Sequence, residues 1–271
     1  MKKRIKSMII DTPLEPIIRR LLSYKVFNIL RRRLIDATAR FHLGGSSRTG
    51  KNISEAFSDT ETLVEFHFQN FSSPDHPCRE TLSLALSMLK RRPSIIVETG
   101  SSAWGANSSL LFDAYVNSYG GRFDSVDIRV EPMYKLSALC SHKSTFFCDD
   151  SVTFLRKLIK KTAKIDLVYL DSWDVDWDDP LPSAIHGFHE FLVILPLLRE
   201  NGGLLLIDDT PKDSDVMRKV APGGLTGYQN FLSEYGFPPG KAALVNEYLT
   251  KNAIGKKIAH NYQLLWRFDR H

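Results

Sequence analysis

The chain has 271 residues, of which 43% are hydrophobic and 25% charged, and its formal net charge is +5. These proportions are typical of a folded globular protein and exclude a disordered or fibrous one. No apolar run reaches the length of about 18 residues that a bilayer span requires, so we expect no membrane-spanning helix. The three cysteines show no CxxC spacing, which argues against a disulfide scaffold and favours a reducing, cytoplasmic compartment.

The positive charge is concentrated in residues 1–43, which hold eleven Lys/Arg and three Asp/Glu. Within them, residues 16–41 repeat apolar side chains every three or four positions, a pattern that predicts a basic amphipathic helix. Such a helix can pack on the body, lie on an anionic membrane surface at its cytoplasmic face or, as the less favoured alternative, contact nucleic acid. The Gly/Ser-rich stretch 44–52 predicts a linker. We therefore divide the chain into an extension, 1–50, and one domain, 51–271.

The domain is expected to begin with a helical lead-in over 53–91 and to continue as a sheet core over 94–271. Short apolar runs predict strands at 94–98, 122–128, 144–148, 165–171 and 203–209. Helical segments alternate with them near 107–118, 132–140, 151–161 and 183–199. This alternation predicts an α/β fold with a Rossmann-like, doubly wound, mostly parallel sheet. Residues 242–249 and 262–268 are expected to add a C-terminal antiparallel strand pair.

Small and acidic residues follow the first three predicted strands, at the sheet edge where such folds bind ligands. Glu98 leads into a turn in which Gly100, Ser101 and Ser102 allow close approach of the backbone to a ligand. The turn lacks the GxGxxG spacing of dinucleotide sites, and an acid at its start suits a ligand with an amino group and a sulfonium. Asp127 is placed to bind ribose hydroxyls, and Asp150 to lie beside an adenine. These are the parts of an adenosine site.

Three further aspartates follow the fourth and fifth predicted strands. Asp171 ends the fourth, and Asp208 and Asp209 end the fifth. Because adjacent parallel strands end at the same sheet edge, the three carboxylates should meet in one cleft. Oxygen-only ligands favour Mg²⁺, or Mn²⁺, over zinc. The alternative is that these acids only cap the strand ends in solvent.

Residues 94–210 resemble the class I S-adenosylmethionine-dependent methyltransferases, and the LDSW and IDD segments are similar to the metal-dependent O-methyltransferases of the catechol and macrocin types. The resemblance implies that Glu98, Gly100, Asp127 and Asp150 bind the cofactor and that the three aspartates hold Mg²⁺. The chain departs from the pattern of these relatives in two places. The second glycine of the turn falls one residue late, and the position three residues after the first metal ligand, a Lys or His base in those relatives, is Asp174.

The resemblance implies methyl transfer to a hydroxyl of a small molecule or of a glycan or glycolipid precursor. Asp174 is one candidate for the general base, and His186 and His189, three residues apart on one helix face, are the others. Two other classes of function stay open. One is a metal-dependent hydroxylase-like enzyme on the same fold, and the other is a non-catalytic or nucleic-acid-directed protein that uses the basic N-terminus.

Overall fold

The structure is a computed structural model that describes residues 57–101 and 105–270. The strands are β1 Ser94–Thr99, β2 Gly121–Asp127, β3 Ser144–Cys148, β4 Leu167–Leu170, β5 Gly203–Ile207, β6 Lys256–His260 and β7 Leu264–Phe268. The α-helices are α1 Thr60–Asn70, α2 Arg79–Met88, α3 Ser108–Tyr119, α4 Val130–Leu139, α5 Ser151–Leu158, α6 Leu181–Asn201, α7 Ser214–Val220, α8 Leu225–Tyr235 and α9 Ala243–Lys251.

Within the described residues the strands form one sheet in the order β3-β2-β1-β4-β5-β7-β6. Strands β1 to β5 pair in parallel, whereas β7 pairs antiparallel with both β5 and β6. The predicted fold class, a Rossmann-like and mostly parallel sheet with a C-terminal antiparallel pair, is confirmed. Strand order reverses between β1 and β4, so a ligand crevice is expected outside the carboxyl ends of these strands.

Both faces of the sheet are covered by helices, which explains why the parallel strands are continuous apolar runs. In β5, Leu204 and Leu206 belong to the core on the face of α1, α2 and α3. Leu205 and Ile207 belong to the core on the opposite face, with α5, α6 and α9. In β5 every residue after Gly203 is therefore buried, and the polar residues Asp208 and Asp209 follow the strand end.

The prediction of a strand over 242–249 is wrong, because these residues lie in α9. Val245 and Leu249 are four residues apart and both are fully buried, which is helical spacing. The strand that pairs with β7 is β6, whose sequence KKIAH is polar and largely exposed at the sheet edge. An edge strand of this kind has no continuous apolar run to reveal it. The predicted 262–268 strand is found as β7.

Helix α6 is long and apolar enough to be compared with a membrane-spanning helix by length and composition. Among the described residues it alone passes that test of length and composition, with a mean hydropathy of 1.4. Within that window, 67% is buried inside the protein, against the sheet and α5 and α9. The long apolar stretch is thus accounted for by packing in the core.

Within the expected helical lead-in over 53–91, the described residues 57–91 contain α1 and α2, which are separated by the loop 71–78. The proposed basic helix, the linker and the boundary at residue 50 lie outside the described residues. They stay predictions.

Candidate active site

The turn after β1 is packed against the segment that follows β4. Gly100 has a φ of +81°, and its amide donates to the carbonyl of Val126, 2.8 Å away. A Cβ at this position would overlap the backbone carbonyl of Asp171. Glycine is therefore required both by conformation and by the close approach of two chain segments. Ser102 lies outside the described residues, and its predicted contact with a cofactor stays a prediction.

Glu98 is fully buried at the end of β1, and its carboxylate is satisfied by protein groups. The hydroxyls of Ser108 and Ser125 donate to it at 2.6 Å, and the hydroxyl of Ser109 donates as well. Burial raises the pKa of Glu98 to about 7, although the three hydroxyls act in the opposite direction. Glu98 thus ties the turn after β1 to the start of α3. Its direct contact with a cofactor stays a prediction.

Asp127 ends β2 and is 6% exposed. Its carboxylate accepts from the backbone amide of Ser101 at 3.1 Å and from the backbone amide of Arg129 at 2.7 Å. The Arg129 guanidinium donates through Nε at 3.0 Å and through Nη2 at 2.7 Å. A carboxylate offers about four acceptor positions. All four are used here, so ribose hydroxyls can bind Asp127 only by taking over positions that the Arg129 side chain holds.

Asp150 is the N-cap residue of α5. Its Oδ1 accepts from the Thr153 amide at 2.9 Å and from the Thr153 hydroxyl at 2.8 Å. This is the usual use of an aspartate before the first turn of a helix. The structure therefore gives Asp150 a structural role at the expected sheet edge, and its contact with adenine stays a prediction.

The structure brings together Asp171, Asp208 and Asp209. Strands β4 and β5 are paired in parallel with Leu170 opposite Ile207, so the residues that follow them project from adjacent strand ends. One carboxylate oxygen from each aspartate lies within 4.8 Å of the others. Asp208 is buried, and the other two are partly exposed.

A lysine that the sequence did not indicate lies inside this cluster. The Nζ atom of Lys241 is 2.6 Å from Asp171 Oδ1 and 2.8 Å from Asp209 Oδ2, and its side chain is 2% exposed. The two carboxylates raise the pKa of Lys241 well above its ordinary value and outweigh the opposing effect of burial. Asp208 accepts from the Gln263 amide at 3.0 Å and from the Cys78 thiol at 3.4 Å.

The donor set and its charge both suit a hard divalent cation. Three carboxylates face one ammonium, which leaves an excess of negative charge. Burial and the neighbouring Asp208 and Asp209 raise the pKa of Asp171 well above its ordinary value, even though Lys241 lowers it. Such crowding of carboxylates is relieved when a cation binds between them. The cluster therefore fits Mg²⁺, but Lys241 already contacts two of the three ligands.

The three predicted bases are in different environments. Asp174 is exposed, three residues after Asp171. His186 is buried, with Nε2 3.0 Å from the Ser151 hydroxyl and 3.5 Å from Glu190, and its ring lies beside Trp173. Of these residues, only Asp174 presents its side chain to solvent at the acidic strand ends.

His189 is half-buried on the same helix, α6. Burial lowers its pKa, and the neighbouring His186 adds to that effect. His186 is connected to the carboxylate cluster through Glu190, which accepts from the Ser172 hydroxyl at 2.6 Å. His186 therefore belongs to a buried polar network behind the cluster, and His189 lies close to it on the same helix.

The loop between α1 and α2 forms another side of the site, which the sequence did not predict. Burial lowers the pKa of His76, while the charges of Asp208 and Asp209 act in the opposite direction. A Cβ on Gly105 would lie 2.6 Å from the Nε2 of His76, so this ring packs on the segment between β1 and α3. The lead-in segment thus contacts both the turn and the acidic cluster.

No family model and no curated protein matches the chain. Among solved structures it is similar to the MycE methyltransferase from the mycinamycin biosynthetic pathway in complex with Mg, SAH and mycinamycin VI, at 15% identity and a TM-score of 0.54. The match covers 79% of this chain and 56% of MycE, so the chain spans a little over half of MycE's length. A second MycE structure, with Mg and SAH, has a TM-score of 0.53 at the same identity and coverage.

The chain also matches the SAH-bound Podospora anserina methyltransferase PaMTH1 over 84% of this chain and 100% of that one, at 14% identity and a TM-score of 0.45. At these identities the MycE likeness concerns the fold. It confirms the predicted resemblance to a class I methyltransferase in architecture.

Proposed function

We propose that the protein is an S-adenosylmethionine-dependent O-methyltransferase with a divalent metal. The observation that carries this proposal is the meeting of Asp171, Asp208 and Asp209 at the sheet edge that also holds the Gly100 turn and Asp127. A cofactor subsite and a cation subsite would thereby be adjacent, as metal-assisted methyl transfer to a hydroxyl requires. The MycE structures, which hold Mg and SAH on this fold, support the assignment.

The cofactor subsite would use the backbone of the turn and the carboxylate of Asp127. Gly100 keeps side-chain atoms away from the turn, and the Ser101 amide orients Asp127. Ribose hydroxyls would replace the guanidinium bonds of Arg129, whose side chain is 43% exposed and has room to move into solvent. Holding the methyl donor in line with the acceptor oxygen is expected to supply most of the rate enhancement.

Asp171, Asp208 and Asp209 would hold the cation, with Mn²⁺ as an alternative to Mg²⁺. When bound, the metal lowers the pKa of the acceptor hydroxyl and orients it. Asp174 would take the proton, because a general base must reach the acceptor and this carboxylate is exposed at the acidic strand ends. His186 and His189 are the alternative general bases. His186 would have to take the proton from within the buried network, where it already contacts Ser151 and Glu190.

The acceptor would be a hydroxyl of a small molecule or of a glycan or glycolipid precursor. The MycE complex that contains mycinamycin VI supports a small-molecule acceptor on this fold. The basic segment 1–43 would place the enzyme at the cytoplasmic face of an anionic membrane, beside a glycolipid acceptor.

Calorimetry with S-adenosylhomocysteine, with and without Mg²⁺, tests the proposal on the full chain. We expect saturable binding of the product cofactor in both conditions, because the two subsites use different residues. A separate titration with Mn²⁺ should show one site that Asp208→Asn abolishes. Absence of S-adenosylhomocysteine binding in a folded sample would refute the methyltransferase assignment, whatever the metal result.

A further inference from the structure

Lys241 is held in the carboxylate cluster by three acceptors, as many as its ammonium has hydrogens. Besides Asp171 Oδ1 and Asp209 Oδ2, its Nζ donates to the backbone carbonyl of Asp171 at 3.1 Å. Lys241 lies between α8 and α9, and its three bonds link this segment to the ends of β4 and β5. The ammonium has no remaining hydrogen with which to bind a substrate.

The backbone around Lys241 fixes this arrangement. Its amide donates to the carbonyl of Asp209 at 3.2 Å, and the next amide, of Ala242, donates to the Thr210 hydroxyl at 3.0 Å. A Cβ on Gly240 would overlap the Asp209 carbonyl, and a Cβ on Gly187 of α6 would lie 2.5 Å from the Lys241 carbonyl. The lysine is thus built into the site by close packing of backbone segments on both sides.

An ammonium and a divalent cation that share two carboxylate oxygens must compete for them. Each draws its favourable energy from the same negative charges, and each repels the other at a separation of a few ångströms. Lys241 supplies a positive charge to the three carboxylates, so the cluster can remain assembled when no metal is bound. A site of three carboxylates alone would depend on the metal for its stability.

We propose that Lys241 is an internal cation that competes with the divalent metal for Asp171 and Asp209, keeps the cluster assembled without metal and weakens metal binding. The inference rests on the metal site of the proposed function. Lys241 is a positioning residue in this proposal, since it acts on the substrate only through the aspartates.

Titration of the full chain with Mn²⁺, followed by the EPR signal of free Mn²⁺, tests the inference. Lys241→Met removes the positive charge and frees two carboxylate oxygens, so its Mn²⁺ affinity should rise by about tenfold or more. Lys212→Met is the matched control, because Lys212 is a nearby lysine that is 47% exposed and pairs with Asp213 at 3.8 Å. Its affinity should equal that of the unmodified protein. Asp208→Asn combined with Lys241→Met should lose the gain.

Thermal unfolding gives a second readout that needs no activity. Without metal, Lys241→Met should melt at a lower temperature than the unmodified protein, because a cluster of one buried and two partly exposed acids then lacks a counter-ion. Saturating Mn²⁺ should raise its melting temperature more than that of the unmodified protein, since a ligand that binds only the folded state adds stability that grows with the logarithm of its concentration divided by its dissociation constant. If Lys241→Met does not fold without metal, Lys241→Gln, which keeps a hydrogen-bond donor, is measured in the same way.

Equal or weaker Mn²⁺ binding by both Lys241 variants would overturn the inference while leaving the metal site intact. Mn²⁺ binding by the Lys241 variants alone would support the inference and show that the unmodified protein does not bind the metal tightly. Binding by none of the proteins would overturn the inference together with the metal part of the proposed function. Cofactor binding, measured separately, would still decide the methyltransferase assignment.

Discussion

Glu98 offers a direct test of how burial raises the pKa of a carboxyl group at the turn after β1. Its pKa in the folded protein is about 7, above the ordinary value of 4.5, so the folded state binds the proton more tightly than the unfolded chain does. The stability associated with the protonated carboxyl is therefore complete below about pH 4.5 and is lost as the pH rises through about 7.

The size of the effect follows from that difference in pKa. Each pKa unit corresponds to about 1.4 kcal/mol, so ionisation of Glu98 should lower the free energy of unfolding by about 3 kcal/mol at pH 8. Most of it should develop between pH 5 and pH 8. Glu98→Gln removes the ionisation, and the hydroxyls of Ser108, Ser109 and Ser125 can accept bonds from an amide as well as donate to it. The variant should therefore equal the unmodified protein near pH 5 and exceed it in stability at pH 8 by about 2–3 kcal/mol.

Urea unfolding followed by circular dichroism at pH 5 and pH 8 measures this difference. Exposed Glu80→Gln is the matched control and should show the same pH dependence as the unmodified protein. If Glu98→Gln changed stability equally at the two pH values, the carboxyl would not titrate in this range. If it destabilised the protein at pH 8, the three hydroxyls would be stabilising an ionised carboxylate, and the reasoning from burial would be wrong.

Three further predictions concern ligands. Asp127→Ala should weaken S-adenosylhomocysteine binding about ten- to a hundredfold in calorimetry, because bonds to a charged acceptor are lost, whereas Arg129→Ala should bind at least as tightly as the unmodified protein; unchanged affinity in Asp127→Ala would contradict the ribose role. Chelation should abolish methyl transfer, and Mg²⁺ or Mn²⁺ should restore it, while S-adenosylhomocysteine still binds; full activity in excess chelator would leave the aspartates as strand-end caps. The full chain should bind anionic liposomes in a salt-sensitive manner, and a chain that starts at Lys51 should not; equal binding by both would favour a helix packed on the body.

The centre of the sheet could be predicted from the sequence because β1, β4 and β5 are buried on both faces. Such strands need apolar residues at every position, and β4 and β5 consist of LVYL and GLLLI. The C-terminal pair was harder. Helix α9 contains apolar residues that were mistaken for a strand, whereas β6 at the sheet edge is polar and leaves no pattern. Edge strands are specified by a single neighbour, which local sequence does not reveal.

The acidic residues of the site could be predicted from their position after strands, since parallel strands end at one edge. Their protein partners could not. Arg129 is two residues from Asp127, but nothing in the spacing indicates that its side chain folds back. Lys241 is 70 residues from Asp171, and its only signal is a charged residue in the otherwise small and apolar segment GKAALV. A lysine in such surroundings indicates a buried partner, but the sequence does not say which acid it is.

The same physical relation appears in both subsites. Asp127 is bonded to Arg129, and Asp171 and Asp209 are bonded to Lys241, so these three acids, which are predicted to bind ligands, already have cationic partners. An unpaired buried carboxylate costs several kcal/mol, and a partner of opposite charge removes most of that cost. The affinity for ribose or for a metal is then the difference between two sets of contacts. In the proposed function, the two cationic side chains would therefore help to set how tightly each ligand is held.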